Sequence, residues 1–333
     1  MQAGKLSPSA LQQFIFDHIH QRRPEVVLTA ALGEDSAALN LSGDLVVVST
    51  DPITGAGANA GWLAVHVSCN DVASNGADPV AILLTVLLPL GSEPSLVGQI
   101  VMDAERAAAE VGAQIVGGHT EVTAAVNQPI ISTTVIGRSA PSRLIKSSGI
   151  KPGDALIASK YIGLEGTSII AWDYSQLVLP FLGEPLLAEA QALANQISIV
   201  PEARIAARMG AHAMHDVTEG GVLGAAYEMA AAANLGFVLR AENLPIHPAT
   251  AILAQHFDFD PLRLISSGTL LIASDDPQPL VAQLIKAKIP AAVIGEFTAS
   301  SQKLLLKDGI ALPVPPPESD ELWRWLAQME QDT

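Results

Sequence analysis

The stretch LAVHVSCNDVASNGADPVAILL, from Leu63 to Leu84, combines a helical pattern, a turn and a strand, and it carries a carboxylate among apolar residues. In a helix, Leu63, Val67 and Asp71 stand at i, i+4 and i+8, so they share one face. A buried carboxylate without a partner is unstable by several kcal/mol or takes up a proton. The pattern therefore predicts hydrogen-bond donors, a cation or a metal ion beside Asp71.

The composition is that of a protein with extensive burial and an acidic surface. A chain of 333 residues fits two domains better than one or three. Charged residues are 16% of the total, and 34 acidic against 18 basic side chains give a net charge of -16. This charge repels a nucleic-acid backbone and an anionic membrane, so we expect neither as a partner. An anionic ligand would have to be held locally, by backbone amides or metal ions.

Three features favour a cytoplasmic location. The single cysteine, Cys69, excludes a disulfide within the chain. The N-terminal segment has Asp17, His18 and His20 where a signal peptide needs uninterrupted apolar residues. The most apolar run, residues 80–90, is too short to span a bilayer and is typical of a buried strand.

Strand and helix patterns alternate along the chain, which predicts an α/β (α+β) fold. In the first half, strand patterns cover residues 45–49, 81–88, 114–118 and 130–137, and helical patterns cover 11–19, 60–75 and 94–111 with Gly112 as C-cap. In the second half, strand patterns cover 155–160, 236–240, 268–274 and 291–298, and helical patterns lie near 163–173, 185–196, 201–210 and 219–233. Both halves therefore suit a sheet packed against helices.

Two changes in composition suggest domain boundaries. The segment 137–154 is rich in Gly, Pro and Ser and resembles a surface connection. We predict an N-terminal domain over 1–150, a C-terminal domain over 151–312, and a proline-rich linker with a final helix over 313–333. In that last part Ser319 is the predicted cap of a helix that docks on the body of the protein.

Polar clusters recur where predicted strands end or helices begin. They are Glu34 with Asp35, Asp51, Asn70 with Asp71, the run His119, Thr120 and Glu121, and Asp216 with Glu219. Ligands of α/β sheets gather beyond the carboxyl ends of strands, and Mg²⁺ prefers oxygen ligands that it shares with phosphates. Taken singly, Asp35, Asp51 and Asp216 are more typical of turns or helix caps. Asp71 lies inside its helical pattern, which favours a functional role.

The segment TEGGVLGAAYEMA has a glycine pair at the start of an alanine-rich helix. Unpaired amides at such a start can bind an anion, but glycines there serve packing about as often. GLEGTS, residues 163–168, is a weaker example of the same pattern. Both interpretations stay open at this point.

Together and in order, these clusters resemble the aminoimidazole ribonucleotide (AIR) synthetase superfamily, especially its hydrogenase-maturation dehydratase branch and relatives of unassigned function. The resemblance is carried by GEDSAAL, STDPITG, CNDVASNGADPVAI, GGHTEV, HDVTEGGVLGAAYEMA, SSGTLLIA and IGEFT, from about Gly33 to Thr298. It implies a two-domain fold with an N-terminal domain that forms a dimer-spanning β-barrel and a C-terminal α/β sandwich. It also implies a homodimer that binds ATP and Mg²⁺ between its domains and acts on a small molecule.

The resemblance also assigns roles to residues of this chain. The implied metal ligands are Asp35, Asp51, Asp71, Glu121 and Asp216, and the implied nucleotide contacts are Asp35, Asn70, Thr120, Asp216, Gly220 and Gly221. Magnesium would then be the partner that Asp71 requires. His119 stands where the family usually has an aspartate, and Glu121 could compensate for that change. Because histidine titrates near neutral pH, His119 is also a candidate catalytic base, although a ligand or hydrogen-bonding role fits equally well.

Three functions remain open after this comparison. The first is an ATP- and Mg²⁺-dependent enzyme that activates an amide-like or carboxylate oxygen, or transfers phosphate. The second is a non-catalytic nucleotide-binding accessory protein that acts through a partner. The third is a metal- or phosphate-binding protein without a nucleotide. The dehydratase branch carries its substrate on a C-terminal cysteine, and this chain has no cysteine after Cys69, so we do not expect self-modification of the tail.

Overall fold

The computed structural model describes residues 26–28, 33–34, 36–40, 43–54 and 59–331. These residues form two compact units that divide between Leu144 and Ile145, with Gly33 and Glu34 belonging to the second unit. The predicted helix over 11–19 and the predicted ligand Asp35 lie outside the described residues.

The N-terminal unit is built on a six-stranded sheet in the order β1-β2-β3-β6-β4-β5. The strands are β1 Val26–Leu28, β2 Ala37–Asn40, β3 Leu45–Ile53, β4 Asp78–Leu88, β5 Gln114–Val122 and β6 Ile130–Ser139. Strands β4 and β5 pair in parallel and the other neighbours are antiparallel. The strands are longer than predicted, so Asp51 and the run His119–Glu121 lie within β3 and β5 rather than beyond their ends. The antiparallel pairing of β3 with β6 continues through Asp51 and Thr133, which explains the extension.

Two helices, α1 Ala60–Ser74 and α2 Pro94–Val111, pack against one face of this sheet. Their close contact depends on Gly61, because a Cβ at that position would lie 2.1 Å from the carbonyl oxygen of Ile100 on α2. Helix α2 ends at Gly112 with φ 78°, which confirms the predicted glycine C-cap. The face of β3 that includes Val47 and Ser49 is buried beneath the helices.

The C-terminal unit contains a seven-stranded sheet in the order β13-β12-β9-β11-β7-β10-β8. The strands are β7 Ala155–Ser159, β8 Ala213–Asp216, β9 Gly236–Arg240, β10 Leu270–Ser274, β11 Ala291–Thr298, β12 Lys303–Lys307 and β13 Ile310–Pro313. The helices are α3 Leu164–Asp173, α4 Ser175–Ala192, α5 Val200–Arg208, α6 Gly221–Ala232, α7 Pro248–Phe257, α8 Pro277–Lys286 and α9 Glu321–Gln331. Only β9 and β12 pair in parallel among the described strands of this sheet.

Two apolar clusters form the core of the C-terminal unit. One packs α6 against β7, β9 and β11, with Met229, Phe237 and Phe297 fully enclosed. The other joins α3, α4 and α7 to the final helix α9 through Leu322 and Trp325. The last helix therefore docks on the unit as expected. Its cap is Asp320 rather than the predicted Ser319, because the Asp320 carboxylate accepts the Leu322 N–H at 2.8 Å.

One helical stretch of the described chain, Ser175–Gln196, is long and apolar enough to cross a membrane by length and composition. It is not one straight helix, because Gly183 has φ 69° and ψ 162° and separates two segments. Val178, Leu182 and Ala190 on these segments are part of the core. This stretch is therefore a pair of short packed helices.

Candidate functional site

Asp71 lies on α1 with 7% of its surface exposed, which agrees with its predicted place on an apolar face. Its Oδ2 accepts a hydrogen bond from the hydroxyl of Ser49 on the buried side of β3. A serine hydroxyl is therefore one of the donors that the sequence required for this carboxylate. A donor of this kind also fixes the orientation of the side chain toward β3.

Asp51 follows Ser49 by two residues on β3, so its side chain leaves the sheet on the same, helix-covered face. Two residues of strand span roughly 7 Å. Asp51 pairs with Thr133 on β6, and the Thr133 hydroxyl donates to the carbonyl oxygen of Ala64 on α1 at 2.7 Å. The strand beside Asp51 is thus tied directly to the helix that carries Asp71. Asp51 is partly exposed and Asp71 is buried, and both lie at the helix-covered face of β3 that carries Ser49.

The other predicted site residues of this unit lie at different places relative to the helix-covered face that carries Asp51. Asn70 is completely buried in α1. Thr120 pairs with Val86, whose buried side chain faces the helices, so Thr120 lies on the same face as Asp51.

His119 and Glu121 lie on the opposite face of the sheet, because successive residues of a strand alternate. In β5 they pair with Thr85 and Leu87 of β4, which point away from the helices. His119 Nε2 lies 3.5 Å from Glu121 Oε2, and the two side chains are 67% and 54% exposed. Within one chain, Glu121 therefore does not complete a ligand set with Asp51 and Asp71, and His119 does not stand beside them.

The described residues contain no group of three or more His, Cys, Asp or Glu side chains that could hold a metal ion. The expected convergence of many carboxylates is therefore not found among the described residues, and what remains is that Asp51 and Asp71 lie at the same face of β3. Mg²⁺ commonly binds one or two carboxylates and takes its other ligands from water and phosphate oxygens. The pair fits a magnesium ion that is shared with a phosphate ligand, and it fits a metal site made by protein alone less well.

In the C-terminal unit, Asp216 ends β8 and is buried with 1% of its surface exposed. Gly220 caps the start of α6 with φ 84°, and Gly221 follows with φ 61°. A Cβ at Gly221 would lie 2.5 Å from the carbonyl oxygen of Leu262. The glycine pair is therefore explained by its backbone conformation and by close contact with the 262–263 backbone, which supports the packing interpretation for Gly221.

The amide of Gly220 is already engaged. Its N–H donates to Oδ2 of Asp320 at 2.7 Å. Asp320 is 1% exposed, and burial raises the pKa of its carboxyl to about 6, with Glu219 adding to the increase and backbone N–H donors opposing it. Any phosphate that binds this amide would have to replace Asp320.

Glu165, which the sequence analysis did not single out, lies beside the same region. It stands in the first turn of α3 with 5% of its surface exposed, and Oε2 accepts the Ser267 N–H at 3.2 Å. Burial raises the pKa of Glu165 to about 7, hydrogen bonds from Ser267 oppose the shift, and Asp320 and Glu219 add to it. The signal in the sequence that could have identified Glu165 was GLEGTS, in which an acidic residue stands two positions after the glycine at a helix start.

Comparisons with known proteins identify relatives over most of the chain. The family model "AIR synthase related protein, N-terminal domain" matches residues 33–139, and "AIR synthase related protein, C-terminal domain" matches residues 151–307. The protein named carbamoyl dehydratase HypE from Rhodobacter capsulatus is 30% identical over 276 residues, which cover 81% of this chain and 78% of that protein. Selenide, water dikinase from Rhizobium meliloti is 29% identical over 257 residues, which cover 75% and 71%.

Solved structures show the same fold. E. coli HypE, described as a hydrogenase maturation protein, has a TM-score of 0.74 at 26% identity and covers 91% of this chain and 95% of its own. A hydrogenase maturation protein HypE in complex with ATP has a TM-score of 0.69 at 22% identity and covers 97% and 98%. The predicted two-domain α/β architecture is thereby confirmed.

Proposed function

Because the chain belongs to the AIR synthase related family, we propose that it is an ATP- and Mg²⁺-dependent enzyme acting on a small molecule. The reaction is activation of an amide-like or carboxylate oxygen, or transfer of a phosphoryl group. The names of the relatives, a dehydratase and a dikinase, support this range of chemistry. The single observation that carries the proposal is that Ser49 hydrogen-bonds to Asp71 at the helix-covered face of β3, the face on which Asp51 also lies.

In this proposal Asp51 and Asp71 hold the magnesium ion of the bound nucleotide. The ion, when bound, neutralises charge on the phosphate oxygens. Ser49 holds Asp71 toward β3 through its hydroxyl, so the carboxylate keeps its orientation before the nucleotide arrives. We further propose nucleotide-side roles for Asp35, Asn70, Thr120, Asp216, Gly220 and Gly221, which the family resemblance implies.

The alternative of an accessory protein is favoured by the position of His119. This side chain is 67% exposed and lies on the face of the sheet opposite Asp51. A general base must come within hydrogen-bond reach of the proton that it removes. Within one chain His119 does not stand near the proposed metal ligands, so nucleotide binding without turnover is the second candidate. One solved structure of this fold is described as a HypE–HypF complex, which supports a role that involves a protein partner.

We also propose a homodimer formed through the face of the N-terminal sheet that lies opposite α1 and α2. The β4 side chains Leu83, Thr85 and Leu87 point to that face, and Leu83 is 39% exposed. A second copy of the sheet would cover these residues, as the dimer-spanning barrel requires. Light scattering should give twice the chain mass, and Leu83→Asp should shift it to the monomer. Leu90→Asp, at a 70% exposed residue just after β4, is the matched control and should leave the dimer intact.

Nucleotide binding is tested by calorimetry and thermal shift with ATP, with and without Mg²⁺. Saturation at 100 times the dissociation constant should stabilise the protein by about 2.7 kcal/mol. Asp71→Asn should remove the Mg²⁺-dependent part, and Asp44→Asn, at an exposed residue of the same unit, should not. Unchanged affinity and unchanged Mg²⁺ dependence in a folded Asp71→Asn protein would contradict the metal assignment.

Turnover separates the enzyme from the accessory protein. Phosphate release from ATP should be measured across a panel of small amides, carboxylates and phosphoesters. Stimulation by one member of the panel, lost in Asp51→Asn and Asp71→Asn, supports the enzyme. ATP binding without release under any of these conditions supports the accessory role instead.

A further inference from the structure

A lysine, a histidine and a buried aspartate are hydrogen-bonded in a row at the surface of the C-terminal unit. The side chain of Asp154 is 2% exposed, and its two carboxylate oxygens lie 3.0 and 2.9 Å from His212 Nδ1. On the other side of the imidazole ring, His212 Nε2 lies 3.1 Å from Nζ of Lys151. Carboxylate, imidazole and amine therefore form one hydrogen-bonded chain.

These contacts determine which ring nitrogen of His212 carries the proton. An ionised carboxylate only accepts hydrogen bonds, so the contact with Asp154 places the hydrogen of the neutral ring on Nδ1. Nε2 is then an acceptor, and the Lys151 ammonium donates to it. The same order of groups is found where a base activates a nucleophile and a third residue orients the base. Here the position of the nucleophile is taken by an amine.

Lys151 and Asp154 are held together in a tight turn of the backbone. The Asp154 N–H donates to the Lys151 carbonyl oxygen at 3.1 Å, and Gly153 has φ 93°. Pro152 followed by a glycine at positive φ is typical of a type II turn. The Lys151 N–H donates to Asp154 Oδ2 at 2.8 Å, and the Gly153 N–H donates to the Phe297 carbonyl oxygen of β11 at 2.8 Å. The turn is therefore fixed to the sheet before any reagent arrives.

His212 is held separately, just before β8. Its N–H donates to the carbonyl oxygen of Ala273 on β10 at 2.9 Å, and a Cβ at Gly149 would lie 2.3 Å from the His212 carbonyl oxygen. The His212 side chain is 16% exposed, whereas Lys151 is exposed. A reagent in solution can therefore reach the amine, while the mostly enclosed imidazole beside it keeps its orientation.

The charges around the amine favour a neutral reagent. Asp275 Oδ2 lies 3.8 Å from His212 Nε2, and its side chain is 72% exposed. Asp154 and Asp275 would both stabilise the positive charge on the ring after His212 takes up a proton. The same carboxylates and the net charge of -16 repel an anionic reagent such as a phosphate. The surroundings of Lys151 therefore fit an uncharged acyl donor.

We propose that Lys151 is a nucleophilic amine that accepts the acyl group of a small neutral thioester, with His212 as its base. Lys151 reacts as the free amine, after His212 Nε2 has passed the ammonium proton to solvent. The amine nitrogen forms a bond to the carbonyl carbon, and the carbon–sulfur bond breaks. The second proton moves through Nε2 to the departing thiolate, which leaves an amide on Lys151 and a free thiol. Asp154 is a positioning residue, because it contacts the imidazole ring and not the reacting atoms.

A simpler role for the contact between Asp154 and His212 is to fasten the turn to the start of β8. That role predicts a loss of stability when the contact is broken, and no change in the reactivity of Lys151. The proposed role predicts that the reactivity of Lys151 falls even in a variant that stays folded. The rate at which Lys151 is acylated therefore separates the two roles.

The test is acetylation of the full chain by S-acetyl-N-acetylcysteamine, a neutral thioester, with peptide mass spectrometry to give a rate for each lysine. Lys286 and Lys307, which are exposed in the same unit, serve as internal references. A general base contributes about 10²–10⁴-fold to a reaction, so Lys151 should be acetylated about a hundredfold faster than these two lysines.

Three variants identify the groups on which this rate depends. His212→Gln should reduce the Lys151 rate to that of the reference lysines, because it removes the base. Asp154→Asn should lower the rate by about tenfold or more, because the ring loses the carboxylate that fixes its proton on Nδ1. Asp276→Asn makes the same charge change at an exposed residue before α8 and should leave the rate unchanged.

Two results would overturn the proposal. The first is a wild-type Lys151 rate within about threefold of the reference lysines, since a base in contact should contribute more. The second is a rate that stays high in a folded His212→Gln protein, because the amine would then react without this base. Circular dichroism shows which variants fold. If His212→Gln does not fold, the wild-type rates and Asp154→Asn decide the outcome, and none of these measurements depends on nucleotide binding.

Discussion

The buried carboxyl of Glu165 predicts that the C-terminal unit loses stability as the pH rises. Its pKa is about 7 in the folded protein against the ordinary value of 4.5. The folded state therefore binds more protons than the unfolded state between these two pH values, and the free energy of unfolding falls as pH rises through this window. A difference of about 2.5 pH units at 1.36 kcal/mol each gives a loss of about 3 kcal/mol. Burial is the largest cause of the raised pKa, so the loss of stability comes from the surroundings of Glu165 in the folded protein.

Glu165→Gln removes the titration and keeps an oxygen that can accept the Ser267 N–H. Relative to the wild type, the variant should gain up to about 3 kcal/mol between pH 4.5 and pH 8. Urea denaturation followed by tryptophan fluorescence measures this difference, since three of the four tryptophans lie in the C-terminal unit. Glu184→Gln, at an exposed glutamate of the same unit, is the matched control. Parallel pH profiles for the wild type and Glu165→Gln would refute the reasoning.

Three further predictions follow from single contacts. Lys160→Met leaves the buried Glu202 carboxylate without the ammonium group that lies 2.7 Å away, and it should destabilise the protein by about 3–5 kcal/mol in urea denaturation. Adding Glu202→Gln should restore part of this stability, and a loss below about 1 kcal/mol for Lys160→Met would contradict the prediction. Gly61→Ala places a methyl group 2.1 Å from the α2 backbone, so it should lower the Tm sharply or prevent folding. Gly98→Ala, where the added methyl group has open space, should stabilise the protein by about 0.5–1 kcal/mol, and similar Tm values for the two variants would exclude close contact between α1 and α2. In the Leu83→Asp background, which removes the proposed dimer contact, His119→Ala should change the stability by less than about 0.5 kcal/mol, because the side chain is 67% exposed in the single chain, and a larger loss would show that it is packed within the chain.

Local signals in the sequence predicted local structure well. Gly112 ended α2 where a C-cap glycine was expected, because the left-handed conformation favours glycine whatever the rest of the fold does. The helix that carries Asp71 was predicted over 60–75 and is found at Ala60–Ser74, since its apolar spacing is a property of the segment alone. The buried position of Asp71 followed from the same spacing.

Features that depend on distant pairing were not predictable in this way. The face of β5 on which His119 and Glu121 lie is set by the register with β4, which the segment itself does not encode. Strand β8 has only four residues, and its histidine and aspartate obscure the apolar pattern. The contact of Asp320 with Gly220 joins two segments 100 residues apart, and neither segment contains a sign of the other.

Strand β7 illustrates how this topology determines when the C-terminal sheet can be completed during synthesis. It occupies residues 155–159, and its two sheet neighbours are β10 and β11, more than 100 residues later in the chain. A ribosome therefore releases β7 and the five helices α3 to α7 before either flanking strand exists. Pairing over such sequence distances is slow and leaves apolar edges uncovered in the interim. We expect the nascent C-terminal unit to depend on chaperones until β11 has emerged, and its yield to fall when synthesis outpaces them.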